Sequence, residues 1–303
     1  MSAYPKVTAI ILNWNGKADT VECLDSFEHV DYPNYEVLLV DNASTDGSVE
    51  LFKERYPGIK IIENPINLGY AEGNNVGIRR AIDDRSDYIM ILNNDTVVDP
   101  DFITELVAVA EEVPDVGFVG PKNYYYEHGG RKDIINFAGG IFSIYRGTTY
   151  NIGINEIDRG QYNEIKESNY IPGSCVMVKR ELIEKIGLIN PEYFTYWEDT
   201  DWCVRVAKAG YRSVYVPKAK IWHKIGVQKG KKNIKAYYYF GRNIFLLVKK
   251  HANVPQTIIF MLYYFSFKVW ITTIVSLFYH QDISEAISFL KGVKEGTRIL
   301  MSP

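Results

Sequence analysis

Residues 88–100, YIMILNNDTVVDP, join an apolar segment to a polar one. The apolar part, residues 88–92, is typical of a buried β-strand, and Asn93, Asn94 and Asp95 follow it directly. Three polar side chains at this point form either a turn or a binding site for a charged ligand. The segments that precede this stretch help to separate the two possibilities.

Short apolar segments alternate with helical patterns through the first half of the chain. Strands are predicted at residues 7–12, 35–40, 59–62 and 88–92. Helices are predicted at about residues 17–29, in the segments that end near residues 56 and 81, and at 101–112. Continuous apolar strands separated by helices predict a parallel sheet that is covered on both faces.

Polar loops follow three of these strands. Their sequences are Asn13-Trp14-Asn15-Gly16, Asp41-Asn42-Ala43-Ser44 and Asn93-Asn94-Asp95. Turn chemistry alone explains any one of them, because Asn, Asp, Ser and Gly favour turns. Ligands of parallel sheets, however, bind outside the carboxyl ends of the strands. Three polar loops at one such edge therefore predict a binding site.

The second half of the chain has a less regular pattern. Residues 120–169 are rich in Tyr, Gly and Asn and are expected to hold short strands. A strand that leads into a helix is predicted at residues 173–187, and a further helix and strand at 195–217. After about residue 235 the composition shifts to aromatic and apolar helix.

Composition limits the class of protein. The chain has 303 residues, a net charge of −3 and three cysteines. A nucleic-acid partner is not predicted, because there is no basic excess. Cysteines without metal-like spacing indicate a reducing compartment, and the first sixteen residues lack the pattern of a signal peptide. We expect a cytoplasmic protein.

The chain lacks the usual phosphate-binding motifs, since neither a G-x-G-x-x-G after the first strand nor a P-loop is present. A divalent metal is the natural alternative for handling phosphates, and Asp95 supplies one hard oxygen ligand. His223, after a predicted strand, would favour Mn²⁺ over Mg²⁺ if it joined Asp95, although a lone histidine is more often structural. A lysine-rich stretch follows and would close over phosphates, contact anionic lipid or form a solvated loop: Lys224, Lys229, Lys231, Lys232 and Lys235.

The segment FTYWEDTDWCVRVAKAG, residues 194–210, has the pattern of a capped helix. Thr195 and Glu198 match a capping box. Asp201 and Arg205 are spaced for an ion pair one helical turn apart. Structural roles thus explain these side chains.

Asp199 in the same segment has a different pattern. It shares a helical stripe with Trp202 and Val206, which predicts that it points toward the packed side. The positive end of the helix would favour its ionised form. An ionised, partly enclosed carboxylate is a candidate general base, with helix capping as the alternative.

A series of motifs in fixed order supports a family resemblance: IILNWNG, VLLVDNASTDGS, NLGYAEGNNVGI, ILNNDTVVDPDF, IPGSCVMVKR, FTYWEDTDWCVR and WHK. Over residues 7–250 the chain resembles the family 2 glycosyltransferases of the GT-A fold, in particular the rhamnosyltransferase-like branch. The resemblance implies an α/β fold with a Rossmann-like, mostly parallel sheet flanked by helices. It implies a catalytic domain at 1–235, divided near residue 120 into nucleotide-binding and acceptor-side halves. A helical, aromatic-rich extension at 236–303 would follow.

The resemblance also implies roles for the strand-end residues. Asp41 would hydrogen-bond the nucleobase of the donor, helped by the loop that contains Asn13 and Asn15. Asn42 and Ser44 would shape the nucleobase pocket.

Further along the chain, Gly69 and Asn74 resemble the segment that lies along the nucleotide. Asn93-Asn94-Asp95 occupies the family's DxD position, with Asp95 as the metal-binding acid. Because the first position is Asn93 rather than aspartate, metal binding would depend more on the diphosphate, and the amide would hydrogen-bond a ribose hydroxyl.

The late motifs imply the catalytic and metal residues. Glu198 and Asp199 match the ED motif, whose aspartate resembles the catalytic base, and Trp197 before them is expected to contact substrate. His223 corresponds to a histidine that completes the metal shell. The pair Arg242-Asn243 matches an RN pair of this branch.

The implied activity is an inverting transfer that depends on Mn²⁺ or Mg²⁺. A sugar, with rhamnose as a candidate, would move from a dTDP- or UDP-linked donor to a hydroxyl of a glycan or a lipid-linked acceptor. Such a step belongs to polysaccharide biosynthesis of the cell envelope.

Residues 257–279 are long and apolar enough to be considered as a membrane span. Lys268 lies at the centre, where a charge costs about 2.5–3.5 kcal/mol on insertion. We therefore expect residues 236–303 to lie on the inner face of the cell membrane or to pair with a second copy. A helical hairpin packed on the catalytic domain is the alternative.

Three other functions are weighed against the transferase. A nucleotidyltransferase would need a Gly-rich triphosphate loop with Arg or Lys, which does not follow the first strand. A glycosidase also pairs carboxylates but has no use for nucleotide-binding loops. A degenerate module that binds a nucleotide-sugar or glycan would need no base, so Asp41, Asp95, Asp199 and His223 together favour an enzyme.

Overall fold

The computed structural model describes residues 4–225 and 234–302. Its first half alternates strands and helices as predicted: β1 (Val7–Asn13), α1 (Lys17–Phe27), β2 (Tyr35–Asp41), α2 (Ser48–Arg55), β3 (Lys60–Glu63), α3 (Gly69–Asp83) and β4 (Tyr88–Asn93). Strand β1 lies between β2 and β4, and β2 also pairs with β3, all in parallel. The predicted parallel sheet is confirmed.

The second half completes one mixed sheet. Its elements are β5 (Thr96–Val98), α4 (Phe102–Glu112), β6 (Val116–Tyr125), β7 (Ile135–Phe137), β8 (Gly140–Ser143), β9 (Thr148–Asn151), β10 (Lys166–Glu167), β11 (Cys175–Lys179), α5 (Arg180–Ile186), α6 (Glu198–Lys208) and β12 (Arg212–His223). The sheet order is β10-β12-β6-β11-β4-β1-β2-β3, in which β11 runs antiparallel to both β4 and β6. Strands β8 and β9 form a separate hairpin.

Helices cover both faces of this sheet because successive strand residues point to opposite sides. On one face, Phe52 of α2 and Phe102 of α4 pack in the same cluster as Ile11 of β1. On the other face, Trp202 of α6 packs in the same cluster as Ile10. Burial of each such side chain stabilises the fold by about 1.5–3 kcal/mol.

Strand β6 corrects the expectation of an irregular segment that begins at residue 120. It extends over ten residues to Tyr125, and nine of them are buried between β11 and β12. The presence of Gly120 and Pro121 obscures this in the sequence. A β-carbon at Gly120 would collide with Ile171, so the glycine reflects close packing rather than a loop.

The start of α6 corrects the predicted capping box. The helix begins at Glu198, so Thr195 lies outside it, and the N-cap residue Trp197 makes no side-chain capping bond. Phe194, Tyr196 and Trp197 all have positive φ, at 62°, 66° and 74°. This left-handed backbone separates Thr195 from the helix and excludes the box geometry.

The C-terminal residues form three long helical segments. They are α7 (Ile234–His251), a continuous helix at Val254–Tyr279, and α10 (Ile283–Met301). The middle one comprises α8 (Val254–Tyr263), a π-helical turn (Tyr264–Lys268), α9 (Val269–Ile274) and a second π-helical turn (Val275–Tyr279). By length and composition it is the one described helix able to cross a membrane, and 17% of its most apolar window is buried.

Candidate active site

The carboxyl ends of β1, β2 and β4 meet at one edge of the sheet. Asn13 lies beside Asp41 in the pairing of β1 with β2, and Leu12 lies beside Asn93 in the pairing of β1 with β4. The strands thus extend one residue further than predicted, and their last side chains are polar. The predicted convergence of the three loops is confirmed.

Asn13 connects these loops from inside the protein. It is fully buried, and its amide donates to Oδ1 of Asp41 at 2.8 Å and to Oγ of Ser44 and Ser48 at 3.0 Å. Its carbonyl oxygen accepts from Oγ1 of Thr20 at 2.9 Å. Asn13 therefore fixes the loop geometry through its own hydrogen bonds, and its nucleotide-binding role stays a prediction.

Asp41 and Asn42 are also buried and bonded within the chain. Oδ2 of Asp41 accepts from the backbone N–H of Ser44 at 2.8 Å. The amide of Asn42 donates to the carbonyl of Gly69 at 2.9 Å, and its oxygen accepts from the N–H of Leu68 at 3.1 Å. These bonds hold the loop before α3 against the end of β2.

Asn15 and Ser44 lie at the outer side of this edge. The exposed Asn15 has a φ of 52° and accepts from the N–H of Thr45 at 2.7 Å. Its own N–H donates to Oγ of Ser44 at 2.9 Å. The two loops are therefore joined where a ligand would meet them from solvent.

Gly69 and Asn74 lie at the start of α3. Gly69 has a φ of +79°, and a β-carbon there would lie 2.5 Å from the ring of Phe194. Asn74 is fully buried and donates to the carbonyl of Tyr70 at 2.8 Å. Both residues are buried and thus fix the backbone near the cleft, Gly69 through its close approach to Phe194 and Asn74 through its hydrogen bond.

Asp95 and His223 form the predicted pair. Nε2 of His223 lies 3.0 Å from Oδ1 of Asp95 and 3.4 Å from Nδ2 of Asn93. Burial raises the pKa of Asp95, but His223, a backbone hydrogen bond and the charge of Lys224 together outweigh burial, and the pKa lies below its ordinary value. The carboxylate is therefore held ionised beside an imidazole.

This pair fits a divalent metal. Oδ1 of Asp95 is buried without a hydrogen bond of proper geometry among the described residues, so it can accept a further contact. The described residues contain no cluster of three or more His, Cys, Asp or Glu side chains for a metal. The protein would supply two ligands and leave the other positions to phosphate and water, as Mg²⁺ sites commonly do.

The polar residues next to this pair are bonded to other side chains. The amide of Asn94 donates to Oγ1 of Thr20 at 2.8 Å, so it points toward α1. Nζ of Lys224 lies 2.8 Å from Asp19 and 2.5 Å from Glu22. The lysines at 229, 231 and 232, expected to close over phosphates or contact lipid, lie outside the described residues.

Asp199 is held in the first turn of α6. Oδ2 accepts from the N–H of Gly173 and the hydroxyl of Tyr170, both at 3.1 Å, and Oδ1 accepts from the N–H of Thr200 at 2.6 Å. Burial raises the pKa of Asp199, and these hydrogen bonds only partly oppose it. Enclosure of the carboxyl and its hydrogen bonds thus act on its pKa in opposite directions, and ionisation favoured by the helix terminus stays a prediction.

Glu198 is adjacent to Asp199 in the first turn of α6. It is buried, and its Oε2 makes no hydrogen bond within the described residues. Burial, followed by the charge of Asp199, raises its pKa well above the ordinary value. Two adjacent carboxyls in one enclosed turn favour a single charge, and Asp199, which accepts from four donors, is the better place for it.

Two tyrosines complete the site, and the sequence analysis missed both. The buried hydroxyl of Tyr70 lies 2.7 Å from the carbonyl of Gly173 and 3.0 Å from Oδ1 of Asn93. Tyr170 donates to Asp199. Tyr70 follows Gly69 in a motif already noted, whereas no local pattern identifies Tyr170.

One cleft of about 480 Å³ is lined by both tyrosines, by the two adjacent carboxyls of α6 and by His223. Asn93 and His223 line one part of it, and Trp197, Glu198 and Asp199 line another. The indole nitrogen of Trp197 is buried without a hydrogen-bond partner among the described residues. Unpaired buried donors and acceptors at a cleft are available to a ligand.

The pair Arg242-Asn243 supports the cleft from α7. The amide of Asn243 donates to the carbonyls of Tyr193, Thr195 and Tyr196 at 2.8–2.9 Å. Arg242 donates to the carbonyl of Glu192 at 3.0 Å. These bonds hold the left-handed backbone that precedes Glu198 and thereby position the two carboxyls.

The fold and the arrangement of the site define a family. The model of glycosyl transferase family 2 matches residues 8–187, more than half of the chain. The chain belongs to this family of glycosyltransferases, as its motifs predict.

Named relatives agree with the predicted branch. The dTDP-rhamnosyl transferase RfbF of Shigella flexneri is 27% identical over 267 residues, which is 82% of this chain and 81% of that protein. An N-acetylglucosaminyl-diphospho-decaprenol L-rhamnosyltransferase of Mycobacterium tuberculosis is 29% identical over 203 residues, 62% of this chain and 66% of that protein. Protein y4gI of Sinorhizobium fredii is 27% identical over 66% of this chain and 22% of its own length. The chain thus spans less than two thirds of the last two relatives.

Solved structures show the same fold. The mannosyltransferase PcManGT from Pyrobaculum calidifontis, in complex with GDP-Man and Mn²⁺, superposes with a TM-score of 0.60 at 18% identity, covering 98% of this chain and 76% of that one. S. aureus TarS 1-349, in complex with UDP-GlcNAc, gives 0.62 at 16% identity, covering 97% and 81%. The GT-A fold is confirmed.

Proposed function

We propose that the chain is an inverting, divalent-metal-dependent glycosyltransferase that moves a sugar from a dTDP- or UDP-linked donor to a hydroxyl of a glycan or lipid-linked acceptor. The observation that carries this proposal is the shared cleft, which holds Asp199 together with Asn93 and His223. Rhamnose is the candidate sugar, because two relatives are named rhamnosyltransferases.

The metal-binding part of the proposal rests on Asp95 and His223. Their separation of 3.0 Å and the unsatisfied oxygen of Asp95 suit Mn²⁺ or Mg²⁺, and a histidine ligand favours Mn²⁺. A bound metal would stabilise the charge that develops on the departing diphosphate. The complex of PcManGT contains Mn²⁺, which agrees with this choice.

Asp199 is the proposed general base. Burial raises its pKa, which makes the carboxylate a better proton acceptor than a solvated aspartate. The acceptor hydroxyl transfers its proton to Asp199 while its oxygen bonds to the anomeric carbon. The bond from that carbon to the diphosphate oxygen breaks on the opposite side, which inverts the configuration. Tyr170 and Gly173 hold Oδ2 in place through this step.

The proposed donor is a nucleotide-sugar, so a binding experiment tests the proposal directly. Calorimetry with UDP, dTDP and GDP, each with Mn²⁺ and with EDTA, should show metal-dependent binding of one nucleotide. Asp95→Ala should abolish that binding. Asp101→Ala is the matched control, because Asp101 is exposed and its side chain makes no capping bond. If no nucleotide binds in the presence of Mn²⁺, the proposal is wrong.

Turnover separates an enzyme from a degenerate binding module. Asp199→Asn should bind the nucleotide as the wild type does, while the rate of donor consumption falls by about 10²–10⁴-fold. A variant with unchanged turnover would remove Asp199 from the role of base.

A further inference from the structure

A second cavity adjoins the candidate active site. It has a volume of about 230 Å³ and shares Thr149, Trp197 and Phe240 with the active-site cleft. On its far side it is lined by Lys268, from the continuous helix at Val254–Tyr279. A ligand seated at Lys268 would therefore extend past Trp197 into the cleft that holds Asp199.

Lys268 points inward from its helix. It belongs to a stripe with a spacing of four that faces the protein and contains Phe260, Tyr264, Lys268, Thr272 and Ser276. The π-helical turn Tyr264–Lys268 has more residues per turn than an α-helix, which keeps this spacing on one side. Such turns frequently occur at functional sites.

The charge of Lys268 is not balanced by the protein. Within residues 4–225 and 234–302, no carboxylate lines this cavity, and Lys268 makes no ion pair or hydrogen bond. Burial lowers the pKa of Lys268 below its ordinary value, with no opposing contribution from an anion. A partly buried cation without an anion is unfavourable unless a ligand supplies one.

The opposite side of the same helix is apolar and exposed. Trp270 and Phe278 are 62% and 76% exposed. They form what we term the outer face together with Ile258, Leu262, Phe267 and Ile274. Large exposed apolar surfaces of this kind contact membranes or other proteins.

We propose that Lys268 binds the phosphate of a lipid-linked acceptor whose hydrocarbon chain remains in the membrane against the outer face. This inference rests on the proposed function, because it names the class of acceptor for that same site. Such a molecule has an anionic phosphate, which would lie beside the cleft, and a long apolar chain, which would lie beside the helix. The helix lies in the membrane interface rather than across the bilayer, since its lysine then faces the protein and not the lipid.

Vesicle flotation with the full-length chain tests the inference. Three vesicles are compared: phosphatidylcholine alone, phosphatidylcholine with phosphatidylglycerol, and phosphatidylcholine with a polyprenyl diphosphate. Wild-type protein should bind all three and bind the last most tightly. Lys268→Met should lose roughly ten- to a hundredfold of affinity for the polyprenyl diphosphate vesicles alone, the value of one charge-assisted hydrogen bond. Lys268→Arg should retain most of that affinity.

The matched control is Lys291→Met, which removes an exposed lysine of α10. It should bind all three vesicles as the wild type does. Inorganic diphosphate should compete only weakly, because it lacks the apolar chain; full competition would assign the site to a free anion and overturn the proposal. Equal losses by Lys268→Met on phosphatidylglycerol vesicles, or no loss at all, would also overturn it. A wild-type protein that ignores vesicles and dimerises would assign the outer face to a second copy.

Nucleotide binding distinguishes this failure from failure of the proposed function. Calorimetry on Lys268→Met with Mn²⁺ should give the wild-type nucleotide affinity, because Lys268 lies beyond Trp197. If the wild type binds nucleotide but does not prefer polyprenyl diphosphate vesicles, only the inference about the acceptor is wrong. If the wild type does not bind nucleotide, the proposed transferase function itself is wrong.

Discussion

Nε2 of His223 lies 3.0 Å from Oδ1 of Asp95, although the two residues are far apart in the sequence. Strand β12 makes this possible because it pairs with β6 as far as His223, while its last three residues also pair with β5. His223 lies opposite Thr96 in that second pairing, so it is placed next to Asp95 by the sheet itself. His223 is therefore the last residue of a strand, and Asp95 lies in the two-residue turn that joins β4 to β5.

His223→Ala should weaken Mn²⁺ binding by about tenfold or more, since even partners of metal ligands contribute that much. The metal preference should shift toward Mg²⁺, because the remaining ligands are oxygens. Titration of Mn²⁺ in the presence of the bound nucleotide, followed by electron paramagnetic resonance, measures both effects. His29→Ala removes an exposed histidine and serves as the control. Equal Mn²⁺ affinity in the wild type and His223→Ala would exclude the histidine as a ligand.

The rate should depend on pH through Asp199. Because burial raises the pKa of this carboxyl, the acidic limb of the rate profile should lie above the range of a solvated aspartate. Tyr170→Phe removes one donor to the carboxylate and should move that limb to still higher pH. Measurement of kcat against pH for both proteins gives the comparison. If the acidic limb of the wild-type profile lay at the ordinary aspartate pKa, the expected effect of burial on Asp199 would be wrong.

Glu198 should make the fold less stable as the pH rises. Its folded-state pKa is raised by burial and by Asp199, so the folded state binds a proton more tightly than the unfolded chain does. Its stabilising contribution is complete below the unfolded pKa and is lost as the pH rises toward the folded pKa. Glu198→Gln cannot ionise, so its melting temperature should fall less steeply over this interval.

The control for Glu198 is Glu181→Gln, because Glu181 is an exposed glutamate in the first turn of α5. Its melting temperature should follow the wild-type pH dependence. Identical pH dependence of the wild type and Glu198→Gln would show that Glu198 does not titrate differently on folding.

The parallel half of the fold could be predicted because its signals are local. Continuous apolar strands such as residues 88–92 alternate with helices, and the carboxyl ends of parallel strands must meet at one edge. The placement of Asn13 beside Asp41 follows from that rule alone. The pairing of Asp95 with His223 and the proposed role of Asp199 were open alternatives from the residues alone, and the family resemblance favoured them.

Other features depend on contacts that no local pattern encodes. Tyr170 reaches Asp199 through tertiary packing of the segment before β11. The positive φ values at Tyr196 and Trp197 are stabilised by Asn243, whose amide donates to the carbonyl of Tyr196. Asn243 is far away in the sequence, so the sequence did not predict that the helix begins only after these residues. The inward direction of Lys268 likewise required the packing of the C-terminal helices.

Gly69→Ala should destabilise the protein and disturb the cleft. The residue has a φ of +79°, and an added β-carbon would lie 2.5 Å from the ring of Phe194. The strained backbone alone costs about 1–3 kcal/mol, and the collision adds to it. Because the carbonyl of Phe194 accepts from the N–H of Tyr70 at 2.7 Å, displacement of Phe194 should also move Tyr70 away from Asn93. Denaturant unfolding and nucleotide calorimetry measure the two effects.

Gly58→Ala is the matched control for that substitution. An added β-carbon at Gly58 meets nothing within 4 Å, so only the unfolded chain loses conformational freedom. Its free energy of unfolding should stay equal to the wild type or rise by about 0.4–1 kcal/mol. If both alanine variants unfold at the same denaturant concentration, Phe194 can move without cost, and the support of Tyr70 by Phe194 is wrong. If Gly69→Ala alone is destabilised and also loses nucleotide affinity, the start of α3 is part of the donor site.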